Sequence, residues 1–299
     1  MARYEGRGIV KGEVLTQRMV RAMRVLTVYA HPNPTSFCHA VLDRFTQGLA
    51  DAGHTCEVVD LHAIKFDPVF SRDDYSFFAH ESVPPELFDE TELRENMVTM
   101  SGGPIRRRVA KRWLRDKSLP ELLEVVAKQR PKDVLAQQEK VAAADGLAFV
   151  APIFWMNFPA ILRGWMERVF TYGFVYTMTR DAWLQGDLSG RQPLLKHRKA
   201  LIMTPTFFRE SDYRESGCGA AIEKLVDDFG FRYPGIKNVE HVYFYAVGAV
   251  DDATRRDYLQ QAYRLGHEFE LRLVPAREPV LTGSGLGDVE RANVEGGVR

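Results

Sequence analysis

The sequence has no apolar run long enough to cross a membrane, no excess of charge of either sign, and few cysteines. Lysine and arginine total 40, as do aspartate and glutamate, so no overall field favours nucleic acid or an anionic membrane. The 3 cysteines are too scattered for a disulfide framework and form no CxxC pair. We therefore expect a reduced, cytoplasmic setting, with no nucleic-acid partner and no membrane span.

Several familiar signatures of catalysis and ligand binding are also missing. The sequence contains no P-loop, nucleophile elbow, internal repeat or zinc-ligand spacing, so no metal site is predicted. The first candidate strand is not followed by G-x-G-x-x-G, and the glycine-rich run at 283–287 has no strand before it. These absences exclude the usual dinucleotide-binding fingerprint.

The elements that can build a core fall within residues 24–274. An apolar content of 45% is enough for one sizeable domain in that range. Residues 1–23 carry basic side chains without the apolar segment of a secretory signal, so we expect a flexible extension. Residues 275–299 are rich in glycine and are expected to form a flexible tail.

Residues 145–176 contain the clearest pattern, a buried strand followed by an amphipathic helix. The apolar run 146–151 has no polar alternation, as expected of a strand buried on both faces of a sheet. Pro152 cannot donate to a strand ladder and should end the strand. Asn157 stands where a helix N-cap would, and Pro159 suits a first helical turn. The apolar stripe of this helix consists of Ile161, Leu162, Trp165, Met166, Val169 and Phe170.

The remaining segments complete a doubly wound α/β fold. Further strands are predicted at 24–30, 54–61, 199–204 and 240–247, with helices at 37–52, 220–229 and 252–273. A strand, a helix and a second strand at the start of the chain favour a parallel sheet with right-handed crossovers.

Distinctive turns follow the strands of this sheet, at the edge where ligands of open α/β sheets bind. Residues 31–36 offer a histidine, two hydroxyls and a helix start, which can bind phosphate through backbone N–H groups. Residues 152–157 offer backbone N–H groups and a flat aromatic wall, which suits a planar cofactor with a heteroatom edge. The alternative interpretation is structural, with Thr35 and Ser36 as plain helix caps and the aromatic side chains in the core.

Residues 76–132 interrupt the pattern and are predicted to be a helical insertion between the second and third strands. An acidic block from Glu81 to Glu95 precedes a basic block from Arg106 to Lys117. Such blocks either fold against each other as a helical hairpin or form a solvated surface insertion, and we favour the second. The segment has too little apolar surface to be stable alone, so we expect it to fold over the site opening.

Three motifs, taken together in order and spacing, resemble one known family. They are HPNPTSF at 31–37, DL at 60–61 with FDPV at 66–69, and APIFWMNFPAILRGWMERVF at 151–170. They resemble the NAD(P)H:quinone oxidoreductases of DT-diaphorase type. The resemblance implies a flavodoxin-like fold, α/β with a five-stranded parallel sheet in the order 2-1-3-4-5.

The resemblance also implies which residues hold a flavin. Those expected at its phosphates and adjoining ribose are His31, Thr35, Ser36, Phe37 and Cys38, and those expected to line its isoalloxazine are Pro152, Ile153, Phe154, Trp155 and Met156. Thr204 and Thr206 are expected at the other edge of the flavin. Tyr213 and Trp155 are the expected catalytic residues, with Tyr213 in the role of the family's tyrosine that stabilises charge on the reduced flavin. FAD is the expected cofactor, FMN the alternative, and NAD(P)H the electron donor.

The implied activity is ping-pong hydride transfer, in which a quinone or another electron-poor aromatic molecule takes two electrons in the same pocket. Phe207 and Phe208 replace a glycine pair of the family, which predicts a crowded flavin face. A homodimer is expected. The helix carries more large apolar side chains than packing on one face of the sheet requires, and such an excess usually marks an interface; they are Trp165, Met166 and Phe170. Two alternatives stay open: a regulatory flavoprotein, like relatives that are ancillary subunits of potassium-efflux systems, and a binding module without flavin.

Overall fold

A computed structural model describes residues 22–78 and 88–271 of the chain. Most of the predicted extension 1–23 and the whole of the predicted tail 275–299 therefore lie outside the described residues. Met23, which was assigned to the extension, is buried in the core beneath the sheet. It packs with apolar residues of the first strand, next to the predicted start of the domain at residue 24.

Five parallel strands form the central sheet, and a short antiparallel pair lies apart from it. The sheet strands are β1 (Arg24–Tyr29), β2 (Thr55–Asp60), β3 (Gly146–Val150), β6 (Ala200–Pro205) and β7 (Val239–Phe244), and the separate pair is β4 (Tyr176–Met178) and β5 (Arg191–Pro193). Their order is β2-β1-β3-β6-β7. The predicted order 2-1-3-4-5 is confirmed, because the pair that the sequence did not reveal takes no part in the sheet.

Helices connect the strands and cover the sheet. They are α1 (Phe37–Asp51), α2 (Glu90–Met100), α3 (Pro104–Leu114), α4 (Leu119–Ala127), α5 (Lys132–Ala143), α6 (Ala160–Val169), α7 (Arg180–Gln185), α8 (Glu210–Glu215), α9 (Cys218–Ile222) and α10 (Asp252–His267), with a 3-10 helix at Arg72–Phe78 and a π-helix at Glu223–Arg232. In the described ranges, none of them is long and apolar enough to cross a bilayer.

The core consists of two layers, one on each face of the sheet. Along β3, Leu147 and Phe149 contact the layer that contains α5, α6 and the π-helix, whereas Ala148 and Val150 contact the layer of α1 and α10. Every residue of β3 is buried, as the uninterrupted apolar run predicts.

The apolar stripe of α6 packs inside the chain. Trp165 and Met166 are buried, and the Trp165 ring meets Phe149 and Phe170 edge to face at 6.1 Å and 5.5 Å. The Trp165 indole also donates from Nε1 to Gln137 Oε1 at 3.2 Å. The apolar excess that suggested a dimer interface is therefore largely used within one chain.

Two predicted helix boundaries are wrong. Pro159, not Asn157, is the N-cap residue of α6. Asn157 is occupied in the preceding turn, where its backbone pairs with Phe154 and its side chain accepts from the Phe158 N–H at 2.8 Å. The last helix ends at His267 rather than 273, and the described chain ends soon after it.

Between β2 and α5 the chain forms the 3-10 helix and then α2, α3 and α4. α2 packs against α3, and α4 packs against both α2 and the 3-10 helix. Arg94 of α2 joins the group by donating to the carbonyls of Leu114 and Lys117 at 3.0 Å and 2.7 Å. In the described part of the chain, no salt bridge links the acidic side chains of α2 to the basic ones of α3.

One buried guanidinium ties both ends of this segment to α6. Arg168 donates to Asp74 Oδ1 at 2.9 Å, before the three helices, and to Asp133 Oδ2 at 2.7 Å, after them. It also donates to the Asp67 carbonyl at 2.7 Å. Asp74 is fully buried, so its charge depends on Arg168 for compensation.

Candidate functional site

The turns after β1, β3 and β6 lie side by side at the carboxyl edge of the sheet. The N–H of Ala30 donates to the Val150 carbonyl at 3.1 Å, and the N–H of Ala151 donates to the Met203 carbonyl at 3.2 Å. Across the first two turns, the rings of His31 and Phe154 have centroids 6.1 Å apart. The structure thus brings together the two turns that the sequence singled out.

The first turn is built from ordinary turn chemistry. Asn33, which the sequence analysis did not select, accepts from both the N–H and the hydroxyl of Thr35 at 2.9 Å through Oδ1. Ser36 is the N-cap of α1 and accepts from the His39 N–H at 3.2 Å. Burial lowers the pKa of His31, which favours a neutral imidazole beside the helix start.

Cys38 and Phe37 stand at the first positions of α1, where N–H groups have no acceptor inside the helix. The Cys38 side chain is buried in the layer beneath α1, and burial raises the pKa of its thiol. The Cys38 side chain thus lies in the core, and its expected part in cofactor binding falls to its backbone N–H. The spacing of Cys38 with Val41, Leu42 and Phe45 is the signal that indicates this core position.

The second turn is closed by two backbone hydrogen bonds between Phe154 and Asn157. Phe154 donates at 2.9 Å and Asn157 donates back at 3.2 Å, with Trp155 and Met156 between them. These two residues have φ of +49° and +61°. Positive φ at both central positions is typical of type I′ turns, which normally contain asparagine and glycine.

A tryptophan and a methionine in this conformation carry backbone strain of roughly 1–3 kcal/mol each. Trp155 gains no packing in return, since 99% of its surface is exposed. Phe154 and Met156 are exposed beside it, whereas Pro152 is buried and Ile153 packs towards the core. The core interpretation of the aromatic wall is therefore wrong for Phe154 and Trp155.

The third turn differs from the prediction at Thr204. This residue lies within β6 and is fully buried, and its hydroxyl contacts Nε2 of His241 at 2.9 Å. His241 in turn contacts Asp227 of the π-helix, with 2.8 Å between Nδ1 and Oδ1. The Thr204 side chain is thus buried on the same face of the sheet as Ile202, two residues before it.

Tyr213 and Thr206 form a buried pair beside the third turn. Their hydroxyl oxygens are 2.6 Å apart, and burial raises the pKa of Tyr213. The phenol therefore keeps its proton at neutral pH and can act as a donor. Phe207 and Phe208 are exposed next to this pair.

A sulfur contact that the sequence did not indicate joins the second turn to α9. The Cys218 thiol lies 3.4 Å from the Met156 thioether. Tyr213 of α8 precedes α9 directly in the chain, so this contact places the Tyr213 region beside the strained turn. The predicted residues at the edge therefore form one continuous group from His31 through Phe154 and Met156 to Tyr213.

The residues at this edge fit a planar group that carries phosphate. The start of α1 provides N–H groups for an anion, and beside them lies the Thr35 hydroxyl, which donates to Asn33 Oδ1 here. The strained turn provides an exposed ring system for a flat heterocycle, and the phenol of Tyr213 provides a neutral donor nearby. In residues 22–78 and 88–271, no cluster of three metal-ligating side chains occurs.

Comparisons with known proteins identify the family to which the chain belongs. Curated relatives include "NAD(P)H dehydrogenase [quinone] 1" of Cavia porcellus, 30% identical over 202 residues, which are 67% of this chain and 58% of that protein. An "Uncharacterized NAD(P)H oxidoreductase" of Haemophilus influenzae is 24% identical over 80% of this chain and 92% of its own length. The chain thus spans less than two thirds of the guinea-pig protein.

Among solved structures, the "NAD(P)H:quinone oxidoreductase from Methanothermobacter marburgensis" is 26% identical, with a TM-score of 0.59 over 84% of this chain and 98% of that one. A family profile described as "Flavodoxin-like fold" matches residues 23–265. The resemblance to NAD(P)H:quinone oxidoreductases that the motifs indicated is confirmed. The chain belongs to the flavodoxin-like fold family.

Proposed function

We propose that this protein is a flavin-dependent NAD(P)H oxidoreductase that passes two electrons to a quinone or another electron-poor aromatic acceptor. The observation that carries the proposal is the left-handed turn at Trp155 and Met156, beside the start of α1. Strain of this kind persists at sites where it serves a ligand. The names of the relatives support NAD(P)H as donor and a quinone as acceptor.

The flavin, when bound, supplies the chemistry, because it accepts hydride from NAD(P)H and then gives two electrons to the acceptor. The chain supplies binding and orientation. The N–H groups of Phe37 and Cys38 would hold phosphate, and the hydroxyl of Thr35 would join them by turning away from Asn33 Oδ1. FAD is the proposed flavin and FMN the alternative. Ser36 contributes by capping α1, which fixes the direction of those N–H groups.

On the other side, the backbone of 152–156 would border the flat ring, and the Trp155 indole would cover part of it. Tyr213, held by Thr206, would present a protonated hydroxyl where negative charge develops on reduction. Phe207 and Phe208 would narrow the opening, which favours thin, planar acceptors. Alternating use of one narrow pocket by donor and acceptor is the basis for proposing ping-pong kinetics.

The decisive experiment identifies what the purified protein releases on denaturation. We expect flavin absorption and the mass of FAD at one molecule per chain. Release of FMN would change the cofactor and keep the proposed activity. If no flavin is found, and neither FAD nor FMN reconstitutes the protein, the proposal is wrong.

We further propose that the segment 76–132 acts as a cap that selects the acceptor. Support comes from a cavity of about 550 Å³ among its helices and the 3-10 helix, within the size range of small-molecule pockets. Its apolar lining includes Tyr75, Phe88, Met97 and Trp113. Replacing residues 84–128 by a short glycine–serine linker should change the ratio of kcat/KM for a large and a small acceptor. An unchanged ratio with flavin still bound would contradict the cap.

A homodimer remains part of the proposal, on a smaller surface than the sequence suggested. Leu225 and Phe229 of the π-helix are exposed and line a mainly apolar groove with Met166 and Phe170. Light scattering at micromolar concentration should give twice the chain mass. The variant Leu225→Glu should shift that mass towards the monomer, and a monomeric parent protein would contradict the dimer.

A further inference from the structure

Helix α3 has an apolar stripe that nothing in the described chain covers. Ile105, Val109 and Trp113 follow one another at i, i+4 and i+8, which places them on one face. Their exposed fractions are 81%, 64% and 57%. The helix attaches to the rest of the chain through its other side, because Leu114 is buried and Ala110 lines the cavity shared with α2. Trp113 stands at the boundary, since it also lines that cavity while 57% of its surface is exposed. The exposed stripe is therefore available to an outside partner.

Uncompensated positive charge flanks this stripe. α3 contains no acidic residue, and its exposed cations are Arg106, Arg107, Arg108, Lys111 and Arg112. Arg108 and Arg112 follow Ile105 and Val109 by three positions, so they border the stripe along its length. In the described part of the chain, none of these cations forms a salt bridge. The whole chain is neutral, so the charge is a local feature of this helix.

The C-terminal end of α3 continues the same surface. Lys117 Nζ lies over the Trp113 ring, 4.9 Å from its centroid. Arg115 is exposed as well. A tryptophan with one open face and cations around it is typical of residues at a membrane–water interface.

We propose that α3 docks this protein onto anionic lipid bilayers, with Ile105, Val109 and Trp113 inserted at the headgroup boundary and the flanking cations over acidic headgroups. A helix with an apolar stripe and a basic polar face lies in the plane of such an interface. Charge complementarity selects anionic lipid, since each basic residue near such a surface strengthens binding. Nucleic acid fits less well, because the stripe would remain exposed to water on a phosphate backbone.

Docking of this kind does not involve the flavin site, since none of the three stripe residues belongs to the turns at the carboxyl edge, although α3 is part of the proposed cap. It also differs from a membrane span, because α3 is an 11-residue helix and would lie along the surface. The sequence analysis predicted no attraction to anionic membranes from the neutral overall charge. An overall charge does not show that cations are concentrated on one helix.

The test is co-sedimentation of the full chain with sucrose-loaded vesicles of phosphatidylcholine, with and without phosphatidylglycerol. We expect binding to the anionic vesicles that is at least about tenfold stronger than to the neutral ones and that weakens as salt is raised. Arg108→Glu with Arg112→Glu should lower the partition coefficient at least about tenfold. Ile105→Ser with Val109→Ser should lower it at least about fivefold.

Matched controls change the same chemistry elsewhere. Lys196→Glu with Arg264→Glu reverses two exposed cations at other sites, and Leu184→Ser removes an exposed apolar side chain from α7. Both controls should bind within about twofold of the parent protein, and all variants should keep its melting temperature, because the changed side chains are exposed.

Three outcomes would overturn the proposal. The first is absent binding, or equal binding to neutral and anionic vesicles. The second is a control variant that loses as much binding as the α3 variants. The third is a parent protein that does not bind vesicles but does bind a DNA duplex, or a parent dimer whose mass in light scattering is halved when Ile105→Ser and Val109→Ser are introduced together. Those last results would assign the stripe to nucleic acid or to a second copy of the chain.

Discussion

Trp155 and Trp165 belong to the same apolar stretch of sequence, yet they lie in regions with opposite properties. Trp165, on α6, has no exposed surface and contacts Phe149, Phe170 and Gln137. Trp155, in the turn just before that helix, is almost fully exposed and has a left-handed backbone. The helix contributes stability and the turn carries strain. One motif thus contains both the rigid element that holds the proposed site in place and the exposed turn that would face the ligand.

The largest expected effect is on the helix side. Trp165→Ala should reduce the free energy of unfolding by about 3–5 kcal/mol, because it leaves a cavity in the core and removes the hydrogen bond to Gln137. Denaturant unfolding monitored by circular dichroism measures the change. A loss below about 1 kcal/mol would contradict the assignment of Trp165 to the core.

The matched variant is Trp155→Ala, the same chemical change in the turn. Here the free energy of unfolding of the flavin-free protein should change by less than about 0.5 kcal/mol, because the exposed indole packs on nothing. Flavin should dissociate more readily, and hydride transfer should be slower. A large loss of stability with flavin retained would mean that the indole packs in the folded protein.

The next effect concerns the first turn, which has standard cap chemistry where the second has strain. Ser36→Ala should cost about 0.5–2 kcal/mol, since the His39 N–H loses the cap hydroxyl and keeps only the Ser36 carbonyl as acceptor. Ser36→Asp keeps an acceptor at the cap and should keep stability. It also places a negative charge beside the expected phosphates, so it should weaken flavin binding, measured by fluorescence titration. Unchanged affinity in Ser36→Asp would exclude phosphate from the start of α1.

A gain of stability is expected when the strain of the second turn is released. Trp155→Gly should stabilise the flavin-free protein by about 1 kcal/mol, because glycine adopts positive φ without steric cost. The same variant should retain flavin less well than the parent protein. Thermal unfolding of both flavin-free proteins measures the first effect, and a lower melting temperature for the glycine variant would show that the turn is unstrained.

The smallest effect is a pH dependence on the packed side of the sheet. Burial lowers the pKa of His197, whose Nε2 contacts the Val141 carbonyl at 2.8 Å. The unfolded chain then binds the proton more tightly than the folded protein, so stability falls as pH drops below the ordinary histidine pKa of about 6.5. His197→Gln should show a shallower fall between about pH 6.5 and 5.

Much of the fold could be predicted from apolar pattern alone. The uninterrupted run at β3 and its alternation between two layers follow from burial on both faces, and the site follows from where such strands end. The order of the strands in the sheet was predicted only through the family resemblance. The strands β4 and β5 were not predicted, since they are too short to give a pattern. The burial of Trp165 and Met166 within the chain could not be predicted, because a helix stripe alone does not reveal how thick the layer beside it is.

The site was harder to predict where backbone geometry decides the outcome. Trp155 and Met156 have no preference for positive φ, so no residue type indicated a tight turn here. Because Asn157 belongs to that turn, it is not the helix cap. Asn33 acts through its own local hydrogen bonds, which a motif comparison does not weight. The orientations of Cys38 and Thr204 could have been read from helix and strand periodicity, which points both side chains into the core.

Arg168 has a further consequence for how the chain tolerates added sequence. One guanidinium holds Asp74 and Asp133, so the ends of the intervening segment meet at a single point on α6. Closing a loop costs conformational entropy that rises only slowly with the length of the loop. The stability of the sheet should therefore depend little on the length of the segment between these ends. A binding domain or a fluorescent reporter could therefore be inserted between Asp74 and Asp133, provided that both carboxylates stay in place.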